Sequence, residues 1–153
     1  MEDGGQKSDL GHLSPDIGRL FSEFRGWIMA SIRSIKDLKV YNLAYALAME
    51  VFERTKTFPK EETYSLTDQI RRSSRSVAIN IREGYAKRKY KQVFIRHLND
   101  AAGSCEETRG WLDFARECKY ITESDHKKLE GRYDEVCAML YRLAHNWRDL
   151  SDI

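Results

Sequence analysis

From Asp37 onward the apolar residues recur every three or four positions, in four blocks separated by short polar breaks. That spacing gathers each block's apolar side chains on one face of a helix. In the first block Val40, Ala44, Leu47, Val51 and Phe58 mark the face, with Tyr41, Ala48 and Phe52 beside it. Phe58-Pro59-Lys60-Glu61-Glu62 ends it, because the residue before proline is pushed out of the helical region. A second helix is expected from about Ser65, with Leu66, Ile70, Ser73, Val77, Ile81 and Gly84 inward, and the pattern lapses at the basic Lys87–Lys91 connector. The third stripe is the most regular: Phe94, Leu98, Ala101, Cys105, Thr108, Leu112 and Ala115. Thr122-Glu123-Ser124-Asp125 carries capping chemistry for a fourth helix, whose stripe is Leu129, Tyr133, Val136, Leu140, Leu143 and Trp147. No stretch alternates as a strand does. The expected fold is all-α, an antiparallel up-down-up-down four-helix bundle over residues 35–150, with helices of about 20–25 residues and roughly 30–38 Å.

Residues 1–34 read differently. Positions 1–13 are aperiodic and suit a mobile tail. Ser14-Pro15-Asp16 reads as a helix start, and Ile17, Leu20, Phe21, Phe24, Trp27 and Ile28 form an amphipathic stripe over residues 15–32. Gly18 and Gly26 weaken that helix by about 1 kcal/mol each relative to alanine. The region is expected to be an N-terminal extension, partly mobile; the rival reading starts the native chain at Met29. Gly103 and Gly110, seven apart, either admit a close neighbouring helix or are simply tolerated.

Composition narrows the class. A chain of 153 residues suits one principal domain whose core needs no metal or disulfide staple. Two prolines and nine glycines among 33% charged and 41% hydrophobic residues exclude collagen-like and low-complexity chains. Three cysteines without a C-x-x-C pair argue against a disulfide framework or zinc cluster and for a reducing, cytoplasmic setting. The longest apolar run, Leu43–Met49, falls far short of the ~20 residues of a membrane span. Met1-Glu2-Asp3 is acidic where a signal peptide is positive.

Charge then supplies the main functional signal. The net charge of +2 conceals a segment, residues 71–97, with nine basic side chains and one acidic one, while residues 98–153 carry a net −4. The nine are Arg71, Arg72, Arg75, Arg82, Lys87, Arg88, Lys89, Lys91 and Arg96. At 100° per residue Arg71, Arg75 and Arg82 fall near one another and Arg72 points away. Such density repels itself unless solvent, carboxylates or phosphates neutralise it. Arginine suits bidentate phosphate contacts, and the interleaved Tyr85 and Tyr90 suit stacking on unpaired bases. The competing reading pairs these cations with the acidic residues 98–153 of a neighbouring helix or subunit.

The run Gln69-Ile70-Arg71-Arg72-Ser73-Ser74-Arg75-Ser76-Val77-Ala78-Ile79-Asn80-Ile81-Arg82-Glu83-Gly84-Tyr85 resembles the signature of a bacterial family, the four-helix-bundle proteins encoded in intervening sequences of 23S ribosomal RNA genes. Asp37-Leu38-Lys39-Val40-Tyr41 is similar to the family's opening, Phe58-Pro59-Lys60-Glu61-Glu62 to its first connector, and Phe94-Ile95-Arg96-His97-Leu98 to the start of its third helix. The resemblance spans roughly residues 35–147. Two departures stand out: the 34-residue extension, and Arg82 where the family usually carries a small residue. The resemblance implies a bundle that assembles into a homopentamer. It also implies kinship with the accessory proteins of diversity-generating retroelements, which associate with a reverse transcriptase and nucleic acid. It implies no settled activity.

Catalysis finds little support in the residues. Asn80 and Glu83 lie near the inward face of helix two and are read as a structural polar network, with Arg71 or Arg72 as candidate partners; no nucleophile or histidine near them in sequence completes a mechanism. A di-metal bundle needs two Glu-x-x-His pairs, and Glu123-x-x-His126 is the single match. Ser73, Ser74 and Ser76 sit in no G-x-S-x-G elbow. Cys105 and Cys137 fall on or beside core stripes as small hydrophobes. Tyr45, Trp111 and Tyr141 are placed just off the core, as a second apolar surface for assembly would require. The expectation is a non-enzymatic, homo-oligomeric protein that binds RNA or DNA, RNA favoured, with no cofactor and no metal. The alternative is a protein-interaction adaptor, such as a reverse-transcriptase accessory protein.

Overall fold

The computed structural model describes residues 32–149, with side chains to Trp147, together with Asp16, Arg19, Leu20, Glu23 and Gly26. The chain divides into two compact units, residues 1–33 and 34–153. In the first, the five described residues before Ile32 are helical, with an exposed Arg19–Glu23 ion pair one turn apart at 3.2 Å. The expected Ser14 cap and, apart from Leu20, the stripe from Ile17 to Ile28 lie outside the described residues, as does the proposed start at Met29.

The second unit is a bundle of four helices: α1 Lys39–Thr55, α2 Leu66–Ala86, α3 Lys91–Glu117 and α4 Glu123–Asp149. Each packs on its sequence neighbour, and α1 closes the ring against α4. No strand occurs among the described residues, and no helix there is long and apolar enough to cross a membrane. Helix α1, at 17 residues, is shorter than expected, and α3 and α4, at 27 each, are longer. Phe58, assigned to the first helical face, lies beyond α1. Its N–H donates to the Thr55 carbonyl in a tight turn (3.2 Å), and its ring packs in an end cluster with Leu66, Ala115 and Tyr120.

The third stripe is buried throughout, from Phe94 to Ala115, and meets Ile70, Val77 and Ile81 of α2 and Leu129, Tyr133, Val136 and Leu140 of α4. Truncating any one of the large residues among these to alanine would cost about 2–5 kcal/mol. Near the end of α4 the stripe drifts: Ala144 is buried and Leu143 half-buried, while Trp147 reaches Phe94 edge-on at 4.6 Å. A straight helix of 3.6 residues per turn drifts against a seven-residue repeat, so a stripe read in steps of three and four slides by one position over this length.

Two glycine sites behave oppositely. A Cβ on Gly84 would lie 2.7 Å from His97 Cβ and 2.9 Å from the Phe94 ring, so α2 and α3 approach this closely only with glycine there. Around Gly103 and Gly110 there is open space, and no helix among the described residues approaches that edge closely. Helix α3 ends in a Schellman motif: Tyr120 N–H donates to Ala115 O (2.8 Å) and Lys119 N–H to Arg116 O (2.9 Å). The left-handed position of that motif is filled by Lys119, at φ 61°, not by glycine. The capping chemistry expected for α4 is present, with Asp125 N–H donating to Thr122 Oγ1 at 3.0 Å.

Candidate nucleic-acid interface

The basic segment occupies one continuous stretch of this frame. Arg71, Arg72, Arg75 and Arg82 lie on α2, Lys87, Arg88 and Lys89 in the turn after it, Lys91 at the start of α3 and Arg96 in its second turn. Helices α1 and α2 run antiparallel, so the end of α1 faces the start of α2. The Phe52 ring therefore sits under Arg71 (4.8 Å to the guanidinium carbon) and Arg75 (5.7 Å). Arg71 Nε donates to Thr55 Oγ1 at 2.7 Å, and Thr55 donates in turn to Phe52 O. At the other end of the groove, Arg82 donates to the Tyr41 hydroxyl at 3.3 Å.

The turn repeats this device. Arg88 lies 4.0 Å over the Tyr85 ring and donates to the Tyr85 carbonyl (3.0 Å), and Lys89 lies 4.7 Å from the Tyr90 ring. Lys87 Nζ is 3.2 Å from His97 Nε2. Tyr85 is buried beneath Arg88, so its ring supports a cation; Tyr90 is exposed. Among the described residues, none of Arg71, Arg75, Arg82, Arg88, Lys89 and Arg96 forms an ion pair with a carboxylate. Ring contacts orient a guanidinium and are worth about 0.5–1 kcal/mol at exposed sites, yet they leave its charge and its outer N–H groups available.

Arg72 does point away, as its helical angle requires. It pairs loosely with Asp68 (3.7 Å) and lines, with Arg75, Ile79 and Glu107, a groove of about 530 Å³ between α2 and α3. The Glu107 carboxylate makes that side less favourable to phosphate than the α1–α2 side.

Asn80 and Glu83 do not act together. Asn80 Nδ2 donates back to the Ser76 carbonyl (3.0 Å) and hydroxyl (3.1 Å), and the Ser76 hydroxyl is bonded to Ser104 of α3 at 2.9 Å. Glu83 is exposed, 3.9 Å from His97 Nδ1, and neither residue bonds Arg71 or Arg72. Three residues turn the helix by about 300°, so Glu83 stands about 60° around α2 from Asn80, on the exposed side. Ser73 and Ser74 are buried: Ser74 bonds back to Arg71 O, and Ser73 accepts from Thr108 Oγ1 at 2.9 Å.

Several acidic residues of α3 and α4 are paired elsewhere, and an α4 arginine reaches α1. Arg109 binds Glu130 and Glu106 at 2.7 Å each, Arg54 binds Asp125 at 2.8 Å, Arg132 binds Glu50, and His126 meets Asp113 at 2.7 Å. Arg109 is thereby held protonated well above its usual range, chiefly by the Glu130 bond. Among the described residues, none of Arg71, Arg72, Arg75, Arg82, Lys87, Arg88, Lys89 and Arg96 pairs with a carboxylate of residues 98–147. Among the described residues there is no group of three or more His, Cys, Asp or Glu side chains able to hold a metal. Sequence reasoning missed the α1 contribution, Phe52, Thr55 and Tyr41; the signal was the aromatic row beside the α1 core face.

The sequence matches the family model described as 23S rRNA-intervening sequence protein over residues 36–142. Among solved structures it is similar to a protein of unknown function from the S23 ribosomal protein family of Bacteroides thetaiotaomicron, at 25% sequence identity and a TM-score of 0.63. That alignment covers 69% of this chain and 95% of the other. No curated protein matches the chain significantly.

Proposed function

The chain belongs to the 23S rRNA-intervening sequence protein family, and from that premise we propose that it is a non-enzymatic, self-assembling, cytoplasmic nucleic-acid-binding bundle, with RNA the favoured ligand and a homopentamer the favoured assembly. The observation that carries this reading is the state of the cations. Arg71 and Arg75 over Phe52, Arg82 at the Tyr41 hydroxyl, and Arg88 over Tyr85 are oriented by rings and a hydroxyl, and among the described residues no carboxylate pairs with them. Phosphates meet that unbalanced charge. Binding of this kind is mostly electrostatic, weak in sequence preference and steep in salt.

Binding of a labelled structured RNA and a matched DNA duplex across a salt series, with mass by light scattering on the same sample, tests it. Steep loss of affinity with salt in an oligomer, with RNA preferred, supports the reading. No binding at low salt by an intact oligomer overturns it and assigns the cations to subunit or partner contacts.

A second reading is favoured by the large apolar side chains exposed on this bundle, Tyr45, Met49, Ile79, Phe114 and Tyr141. In it the protein is an adaptor that docks a protein partner, as a reverse-transcriptase accessory protein does. Self-assembly would cover the same surface, so a monomer that captures a protein partner and no RNA favours the adaptor.

A further inference from the structure

Two cysteines that look like separate core positions in the sequence meet across the α3–α4 interface. Cys105 and Cys137 have their sulfurs 2.8 Å apart, as free thiols. Contraction to about 2.05 Å would make a disulfide. Their surroundings differ. Cys105 is fully buried, with its Sγ 3.3 Å from the Tyr133 carbonyl. Cys137 is half-buried and lines a hollow of about 160 Å³ with Leu98, Ala102, Leu140, Tyr141 and Ala144. Around Cys137 Sγ, Glu106 Oε1 lies at 3.5 Å, and Arg109 holds that carboxylate at 2.7 Å.

We propose that Cys137 and Cys105 form a two-thiol redox site that takes a small hydroperoxide through this hollow and closes into a disulfide joining α3 to α4. The thiolate is the nucleophile of such chemistry, and the contact with Cys105 lowers the Cys137 thiol from its ordinary range while the Cys105 thiol is driven up. Cys137 sulfur attacks the outer peroxide oxygen: an S–O bond forms, the O–O bond breaks, and the departing hydroxide (from hydrogen peroxide) or alkoxide leaves as water or alcohol with the proton displaced from Cys137. Cys105 sulfur then attacks the sulfenic sulfur. The S–S bond forms, the S–O bond breaks, and water leaves, formed from the sulfenic hydroxyl and the Cys105 proton. The two thiols lose two electrons in total and the peroxide gains them. Cys118, exposed and near the end of α3, has no such partner and takes no part.

The test uses the full chain carrying Cys118→Ser, exposed to equimolar hydrogen peroxide and then mapped by mass spectrometry. The expected product has lost two hydrogens, yields a peptide pair linked through Cys105 and Cys137, melts at a higher temperature, and reverts with dithiothreitol. With Cys105→Ala or Cys105→Ser added, dimedone should trap a sulfenic acid on Cys137. With Cys137→Ser instead, Cys105 should stay reduced. Peroxide-treated protein with both thiols intact overturns the proposal, as does oxidation of Cys105 in the Cys137→Ser chain or a persistent Cys137 sulfenic acid beside an intact Cys105. If the Cys105 variants lose their helical circular dichroism, the peptide map of the Cys118→Ser chain decides alone.

Discussion

The α1–α2 edge and the α3–α4 edge of the bundle both carry arginines and treat them in opposite ways. On the α3–α4 side Arg109 is clasped by Glu130 and Glu106, and Arg116 by Glu117 at 3.0 Å. There the charges cancel locally, and the arginines tie helix to helix or turn to turn. On the α1–α2 side Arg71 and Arg75 rest on the Phe52 ring, and Arg82 donates to the Tyr41 hydroxyl. The same residue type thus serves cohesion where a carboxylate faces it and presents charge where a ring or a hydroxyl does. A count of charges along the chain does not separate these two roles; the partner does.

The largest expected effect follows from exchanging the two sides. Arg71→Gln, Arg75→Gln and Arg82→Gln together should weaken RNA binding by roughly a hundredfold at low salt, while Arg109→Gln with Arg116→Gln changes it less than about twofold. In chemical denaturation the order should invert, with Arg109→Gln losing about 1 kcal/mol through its half-buried pairs. Equal effects of both sets on binding would erase the contrast.

Gly84→Ala probes the junction that holds the basic turn. The new Cβ would press on His97 Cβ at 2.7 Å, and overpacking of this sort costs about 1–3 kcal/mol, against about 1 kcal/mol gained in helix propensity. Net destabilisation of up to about 2 kcal/mol, measured by urea unfolding, is expected. Gly103→Ala, in open space, should instead stabilise by up to about 1 kcal/mol.

Much of this architecture was legible in the chain, because the hydrophobic period alone determines which face of a helix is buried. The stripe from Phe94 to Ala115 is buried at every position, and the break at Phe58-Pro59 lies between α1 and α2. The lapse from Lys87 to Lys91 coincides with the turn before α3. What was not legible depends on how helices face one another. Arg82 meets Tyr41 across 41 positions and Cys137 meets Cys105 across 32, so neither contact exists until the antiparallel register is set. Asn80 and Glu83 looked coupled because three residues is a helical neighbour spacing. Ser104 of α3 draws Asn80 into one network through Ser76, and Glu83 faces out beside His97.

Smaller effects sharpen the picture at the opposite end of the bundle. Lys119→Gly should stabilise the chain by about 0.5–1 kcal/mol, since only glycine takes φ 61° without strain. The smallest concerns Glu62, which accepts from Ser65, from the Tyr120 hydroxyl at 3.0 Å and from the Leu66 N–H at 3.3 Å. The Ser65 bond, then those from Tyr120 and Leu66, lower the Glu62 carboxyl, so its contribution is present above the ordinary carboxylate range and is lost as pH falls through the lowered value. The bond to Glu62 pushes Tyr120 up to about 12, so that contribution is full below the ordinary phenol value and disappears as pH rises towards 12. Tyr120→Phe should flatten the alkaline limb of the melting-temperature profile and leave RNA binding unchanged.

The most direct test of the central claim is the salt slope of RNA binding for the wild-type chain and for the Arg71→Gln, Arg75→Gln, Arg82→Gln variant, measured in parallel on samples of equal oligomeric mass. Each phosphate contact contributes about 0.7–0.9 to the slope of log affinity against log salt. If these three arginines hold phosphates, the variant's slope is shallower by roughly 2–3. Parallel lines for the two proteins would contradict the account and leave the α1–α2 edge with no part in binding nucleic acid.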